Sequence, residues 1–116
     1  MGLDHGIKVK NKDDVEIVWR KCNQFRGWFS RLENFEDEGA TPITIEVLED
    51  FLADLWTVAK DHSKAEEIMP TQQGFFFGSY EYDEWYFDDI KKAIMEITYL
   101  LLEVTEDDEI VYWEWY

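Results

Sequence analysis

A single cysteine, Cys22, is all the thiol the 116-residue chain carries. It rules out an internal disulfide and fits a reducing compartment. The two histidines, His5 and His62, are too distant in sequence to make a zinc motif with one thiol. No apolar run near the start is long enough for a secretory leader. Regular charges interrupt the longest apolar pattern, so no membrane span is expected. Position 6 is glycine rather than serine or threonine, so the Met1-Gly2 start fails the myristoylation pattern. A cytoplasmic location is therefore expected. Gly74 and Gly78 flank phenylalanines with no lysine after them, so no phosphate cradle is present, and no acidic stretch has EF-hand spacing. Neither a cofactor nor a metal is expected.

Positive charge is the other scarcity. Eleven Lys and Arg stand against 27 Asp and Glu, a net charge of −16. The imbalance is uneven: residues 1–31 hold seven bases and four acids, a net +3, while the remainder holds four bases and 23 acids, a net −19. Such a field repels phosphate backbones, so direct nucleic-acid binding is disfavoured, and it attracts basic proteins. The plainer reading is that the acids keep an aromatic-rich surface in solution.

Aromatics are abundant: six Trp, six Tyr and eight Phe, more rings than a core of this size encloses. They concentrate between Pro70 and Ile90, where Phe75, Phe76 and Phe77 precede Tyr80, Tyr82, Trp85, Tyr86 and Phe87, with five carboxylates among them. Rings in such numbers must fold against the rest of the chain or face a partner.

Periodicity predicts a single domain over residues 1–116. Ile7 to Lys10 alternates as a short strand. Val15, Val18, Cys22, Phe25, Phe29 and Leu32 recur at 3, 4, 3, 4, 3 and predict a first helix over 13–35, in which Gly27, about 1 kcal/mol worse than alanine, marks a close approach or a break. An acidic loop follows over 36–42. Ile45, Leu48, Leu52, Leu55 and Ala59 predict a second helix from a Thr44 cap to about 69, with His62 as a packed or capping residue and Pro70 ending it. Phe87, Ile90, Ile94, Ile97, Leu101 and Val104 predict a third over 83–104. Glu109 to Tyr116 reads as a strand. Two short strands at opposite ends pair most simply with each other, placing Lys8 and Lys10 near Glu114 or Glu109. The expected fold is α+β, mostly α: an up-down-up three-helix bundle clasped by a two-stranded antiparallel ribbon of the termini.

The residues also carry a resemblance. Met1-Gly-Leu-Asp4, Trp19-Arg-Lys-Cys-Asn23, and Pro70-Thr-Gln-Gln-Gly-Phe-Phe-Phe-Gly-Ser79 running into Glu81-Tyr-Asp-Glu-Trp-Tyr86 are similar to a family of short proteins encoded by tailed bacteriophages, prophages and some bacteria. The likeness covers residues 1 to about 100, and the phenylalanine motif is its most specific part. It implies a phage or prophage setting, hence host cytoplasm, and no activity, cofactor or catalytic residue.

Among functional classes a protein-binding module fits best, with a basic host protein as partner. In a phage setting its sharp form is a nucleic-acid mimic inhibiting a host nuclease or defence protein. The expected binding surface is Phe76, Tyr80, Glu81, Tyr82, Asp83 and Glu84, with Trp19, Arg20 and Asn23 supporting it by hydrogen bonds. Phe75 and Phe77 are expected to plug the open end of the bundle, with Gly74 and Gly78 supplying the turns. No catalytic residue is assigned: Cys22 lies on an apolar seam and His5 has no placed partner. A small enzyme or ligand-binding protein using the aromatic and acidic residues 75–84 is the alternative. The oligomeric state stays open.

Overall fold

The computed structural model describes residues 2–72, 79 and 81–116. The order of elements is β1 (Asp4–Val9), β2 (Glu16–Arg20), α1 (Asn23–Phe29), β3 (Ala40–Ile43), α2 (Ile45–Lys60), α3 (Ala65–Ile68), α4 (Glu84–Glu103) and β4 (Ile110–Trp115). The strands form one antiparallel sheet in the order β2-β1-β4-β3. This overturns the expected three-helix bundle with a two-stranded ribbon. The terminal strands do pair, Asp4 opposite Trp115 and Val9 opposite Ile110, but as the middle of a sheet that two further strands complete.

The largest departure is the first predicted helix. Residues 16–20 form β2, and only 23–29 are helical. Glu16-Ile-Val-Trp-Arg20 alternates exposed and buried, with Ile17 and Trp19 inward and Val18 47% exposed. The Val15–Val18–Cys22 part of the helical stripe is thus coincidental: β-branched and aromatic residues with period 2 made a strand. Lys21 and Cys22, at φ 67° and 39°, then turn the chain into α1. Within α1, Gly27 admits the side chain of Gln72, which an added Cβ would meet at 2.8 Å.

A second departure is β3, where an acidic loop was expected. Ala40-Thr-Pro-Ile43 pairs with β4 through Ala40–Trp113 and Ile43–Ile110. Pro42 is tolerated because β3 is an edge strand, where a missing donor breaks no second ladder. The second predicted helix ends early. Thr44 caps α2 by accepting from the Val47 amide at 3.2 Å, but the helix stops at Lys60. A 3₁₀ turn over His62–Lys64 and the short α3 carry the chain on.

The helices lie on one face of the sheet. Ile7, Val9, Ile17, Trp19, Ile43, Ile110 and Tyr112 share one core with Phe51, Leu55, Ile90, Ile94 and Ile97 of α2 and α4. Its centre is aromatic: Phe51 lies 4.8 Å from Phe29 and 4.9 Å from Trp28, and Phe29 stacks on Tyr112 at 4.3 Å. His62 is packed rather than free, its ring 3.7 Å from Phe87. Among the described residues no helix is long and apolar enough to cross a membrane.

Candidate interaction surface

The expected surface divides into a part that is described and a part that is not. Phe76 and Tyr80, like Phe75, Phe77, Gly74 and Gly78, lie outside the described residues. Glu81 and Glu84 are exposed. Two of their neighbours have structural work. Asp83 caps α4, its Oδ1 accepting from the Tyr86 amide at 3.1 Å. Tyr82 accepts from the Thr71 amide at 3.1 Å and packs edge-on against Tyr86. Glu84 sits in the first turn of α4, where a negative charge complements the helix dipole.

The three supporting residues separate. Buried Asn23 bridges to both flanks of the undescribed stretch: Nδ2 donates to the Ser79 carbonyl and Oδ1 accepts from the Gln72 amide, each at 2.8 Å. It lines a small cavity together with Glu81 and Asp83. Trp19 and Arg20 do not reach that cavity. They line a different groove, between β2 and α4, with Asp89, Lys92 and Glu96.

That groove holds two desolvated carboxylates. Glu96 accepts from Trp19 Nε1 at 3.0 Å, and burial raises its pKa against that bond and the nearby Lys92. Asp89 is likewise raised by burial, offset by a hydrogen bond from Cys22 and by Lys92. The Cys22 thiol is pushed well above its ordinary range, first by burial and then by Asp89. A thiol so held stays protonated and is a poor nucleophile.

Sequence reasoning followed the inward seam of α4 and missed the outward one. Trp85, Asp88, Lys92, Met95, Tyr99 and Leu102 recur at 3, 4, 3, 4, 3 and all face solvent. The apolar members are 73%, 60%, 64% and 76% exposed in the order Trp85, Met95, Tyr99, Leu102. The spacing was legible; what hid it was a richer stripe on the same helix.

Also missed was a buried polar chain under the sheet. His5 Nε2 lies 2.8 Å from the Lys21 carbonyl, which can only accept, so that nitrogen carries the proton. Nδ1 therefore accepts from the Tyr112 hydroxyl at 2.8 Å. The same hydroxyl lies 3.2 Å from Glu114 Oε1, and Glu114 in turn holds Arg26 and accepts from the Glu38 amide at 2.9 Å. Burial drives the Tyr112 hydroxyl far above its ordinary pKa, with Glu114 adding to it. This chain fastens β1, β4, α1 and the loop before β3 to one another. Among the described residues no three His, Cys, Asp or Glu side chains converge as metal ligands.

No protein family, curated protein or solved structure matches the chain.

Proposed function

We propose that the protein is a binding module for a basic protein partner, engaged through the outward face of α4 and the carboxylates around it. The observation that carries this reading is the exposed stripe Trp85, Met95, Tyr99 and Leu102. Large apolar side chains left in water at helical spacing favour a partner that covers them, and Trp and Tyr serve well as interface anchors. The net charge of −16 selects a basic partner and speeds its approach. In the phage setting that the resemblance implies, the partner is a host nucleic-acid-binding or defence protein, and the carboxylates take the place of phosphates in its basic groove.

Oligolysine serves as a defined basic probe, followed by tryptophan fluorescence at low and high salt. Binding is expected at low salt and loss at high salt. The triple variant Trp85→Ala, Tyr99→Ala, Leu102→Ala should keep its thermal midpoint and bind at least tenfold more weakly. Unchanged affinity in that variant overturns the assignment to α4. The inhibitor form predicts displacement of labelled DNA from a basic DNA-binding domain, reduced when Glu81 and Glu84 become Gln.

A further inference from the structure

We propose that the open edge of β2 is a docking site for an extended basic segment of the partner, which joins the sheet as a fifth strand. This rests on the reading above that the partner is a basic protein, and it names the form in which that partner binds.

The two edges of the sheet are treated differently. At one end β3 carries Pro42, which blunts the edge. At the other end β2 pairs with β1 on one side and, among the described residues, with no strand on the other. Its sequence, Glu16-Ile-Val-Trp-Arg20, has neither proline nor lysine to discourage pairing. An unpaired strand edge is a template for main-chain hydrogen bonds with an extended segment.

A groove runs beside that edge, between β2 and α4. One stretch has a volume of about 410 Å³ and is walled by Ile17 and Tyr99; the next, of about 560 Å³, is walled by Val18 and Trp19. Glu96 lines both, so the two stretches meet at that residue. Among its lining residues the carboxylates Asp14, Glu16, Asp89, Glu96 and Glu103 stand against Arg20 and Lys92, a net −3. Among the described residues Asp89, Glu96 and Glu103 make no ion pair, while Glu16 meets Lys8 from the neighbouring strand. Half-buried Asp89 and Glu96, which have only Lys92 nearby, and exposed Glu103 are complementary to an incoming lysine or arginine.

The dimensions agree. Asp89 to Glu103 spans roughly 21 Å along the helix, and a strand advances about 3.4 Å per residue, so six residues cover the groove. Successive side chains of an added strand alternate, one set over α4 and the other beside Val18. The segment that fits has lysine or arginine at alternate positions, over the carboxylates, and β-branched residues between them, against Val18.

An eight-residue peptide of alternating lysine and valine tests the proposal, together with two forms N-methylated at all lysines or at all valines. Residues of one parity direct their main-chain groups to one edge, so only one methylated form blocks pairing with β2. One form should lose at least tenfold in affinity while the other stays within threefold, and bound peptide should slow hydrogen exchange at amides of residues 16–20. Equal binding of the two methylated forms, or slowed exchange confined to α4, overturns the strand. If the alternating peptide fails while oligolysine still binds, the strand falls and the binding module stands. If neither binds at low salt, both fall.

Discussion

Glu114 grips Arg26 across 88 residues of sequence, with Arg26 Nε donating to Oε1 at 3.1 Å and Nη2 to Oε2 at 3.2 Å. The Glu114 side chain is fully buried and that of Arg26 is 14% exposed. Arg26 also donates to Asp37 at 3.0 Å and to Gln72 at 3.2 Å, so it ties the last strand to the loop before β3 and to the stretch after α3. Removing one partner of such a pair leaves a buried charge unmatched. Arg26→Met should therefore lose roughly 3–5 kcal/mol of unfolding free energy, and Arg26→Met with Glu114→Met should lose less than the single change. Urea unfolding followed by tryptophan fluorescence measures both. A loss below about 1 kcal/mol in the single variant would contradict this account.

His5 is held neutral at ordinary pH. Its pKa falls from 6.5 to about 3, chiefly because burial penalises the imidazolium; the bond to the Lys21 carbonyl works against this and the charge of Arg26 adds to it. Above pH 6.5 neither state holds the extra proton. Between 6.5 and about 3 only the unfolded chain takes it up, so stability falls as pH drops, by about 1.4 kcal/mol per pH unit for this group. Asp89 and Glu96, whose pKa values are raised, act with the opposite sign, so the comparison must be with a variant rather than with theory. Unfolding of His5→Gln between pH 6.5 and 4.5 should show a shallower decline than the parent. Parallel pH profiles would mean that His5 titrates normally in the folded state.

Gly6 sits where β1 presses against β2, and a Cβ there would lie 1.8 Å from the Ile17 carbonyl oxygen. Backbone, not a flexible side chain, stands in the way. Gly6→Ala should lose on the order of 3 kcal/mol or more and show the loss first as faster hydrogen exchange in β2. An alanine variant as stable as the parent would mean that the two strands separate at little cost.

Asn23→Ala removes the bridge between α1 and the flanks at Gln72 and Ser79. The half-buried Gln72 amide loses its partner, worth about 1–3 kcal/mol where such a group is left unsatisfied, while the carbonyl of exposed Ser79 is freed to water at less cost. Asn23→Asp retains the acceptor for the Gln72 amide but sets a buried carboxylate oxygen against the Ser79 carbonyl, so a loss at least as large as that of the alanine variant is expected. Thermal unfolding of the two variants side by side tests the order.

The most readable part of this chain was α4. Its inward residues recur over six positions, Asp83 stands as a cap in front of them, and the observed Glu84–Glu103 differs by one residue at each end from the range periodicity predicts. Thr44 announced α2 in the same local way. The terminal strands were legible too, but β2 and β3 were hidden for a corresponding reason. Five residues, Glu16 to Arg20, offer too short a pattern to separate period 2 from a helical stripe, and β3 contains the proline that argues against a strand unless the strand is known to lie at an edge.

The candidate surface splits along the same line. Acidity, the crowd of rings and the outward stripe of α4 are properties of composition and of one helix, and they were present before any fold. That Trp19 and Arg20 line the groove beside α4, that Glu114 points inward beside Tyr112, and that β2 has, among the described residues, a strand on one side only depend on which strand lies next to which. Helix formation is decided by residues three and four apart, so the chain declares it locally. Strand order and burial of a charge are decided by contacts between residues as distant as Arg26 and Glu114, and only the assembled sheet could settle them.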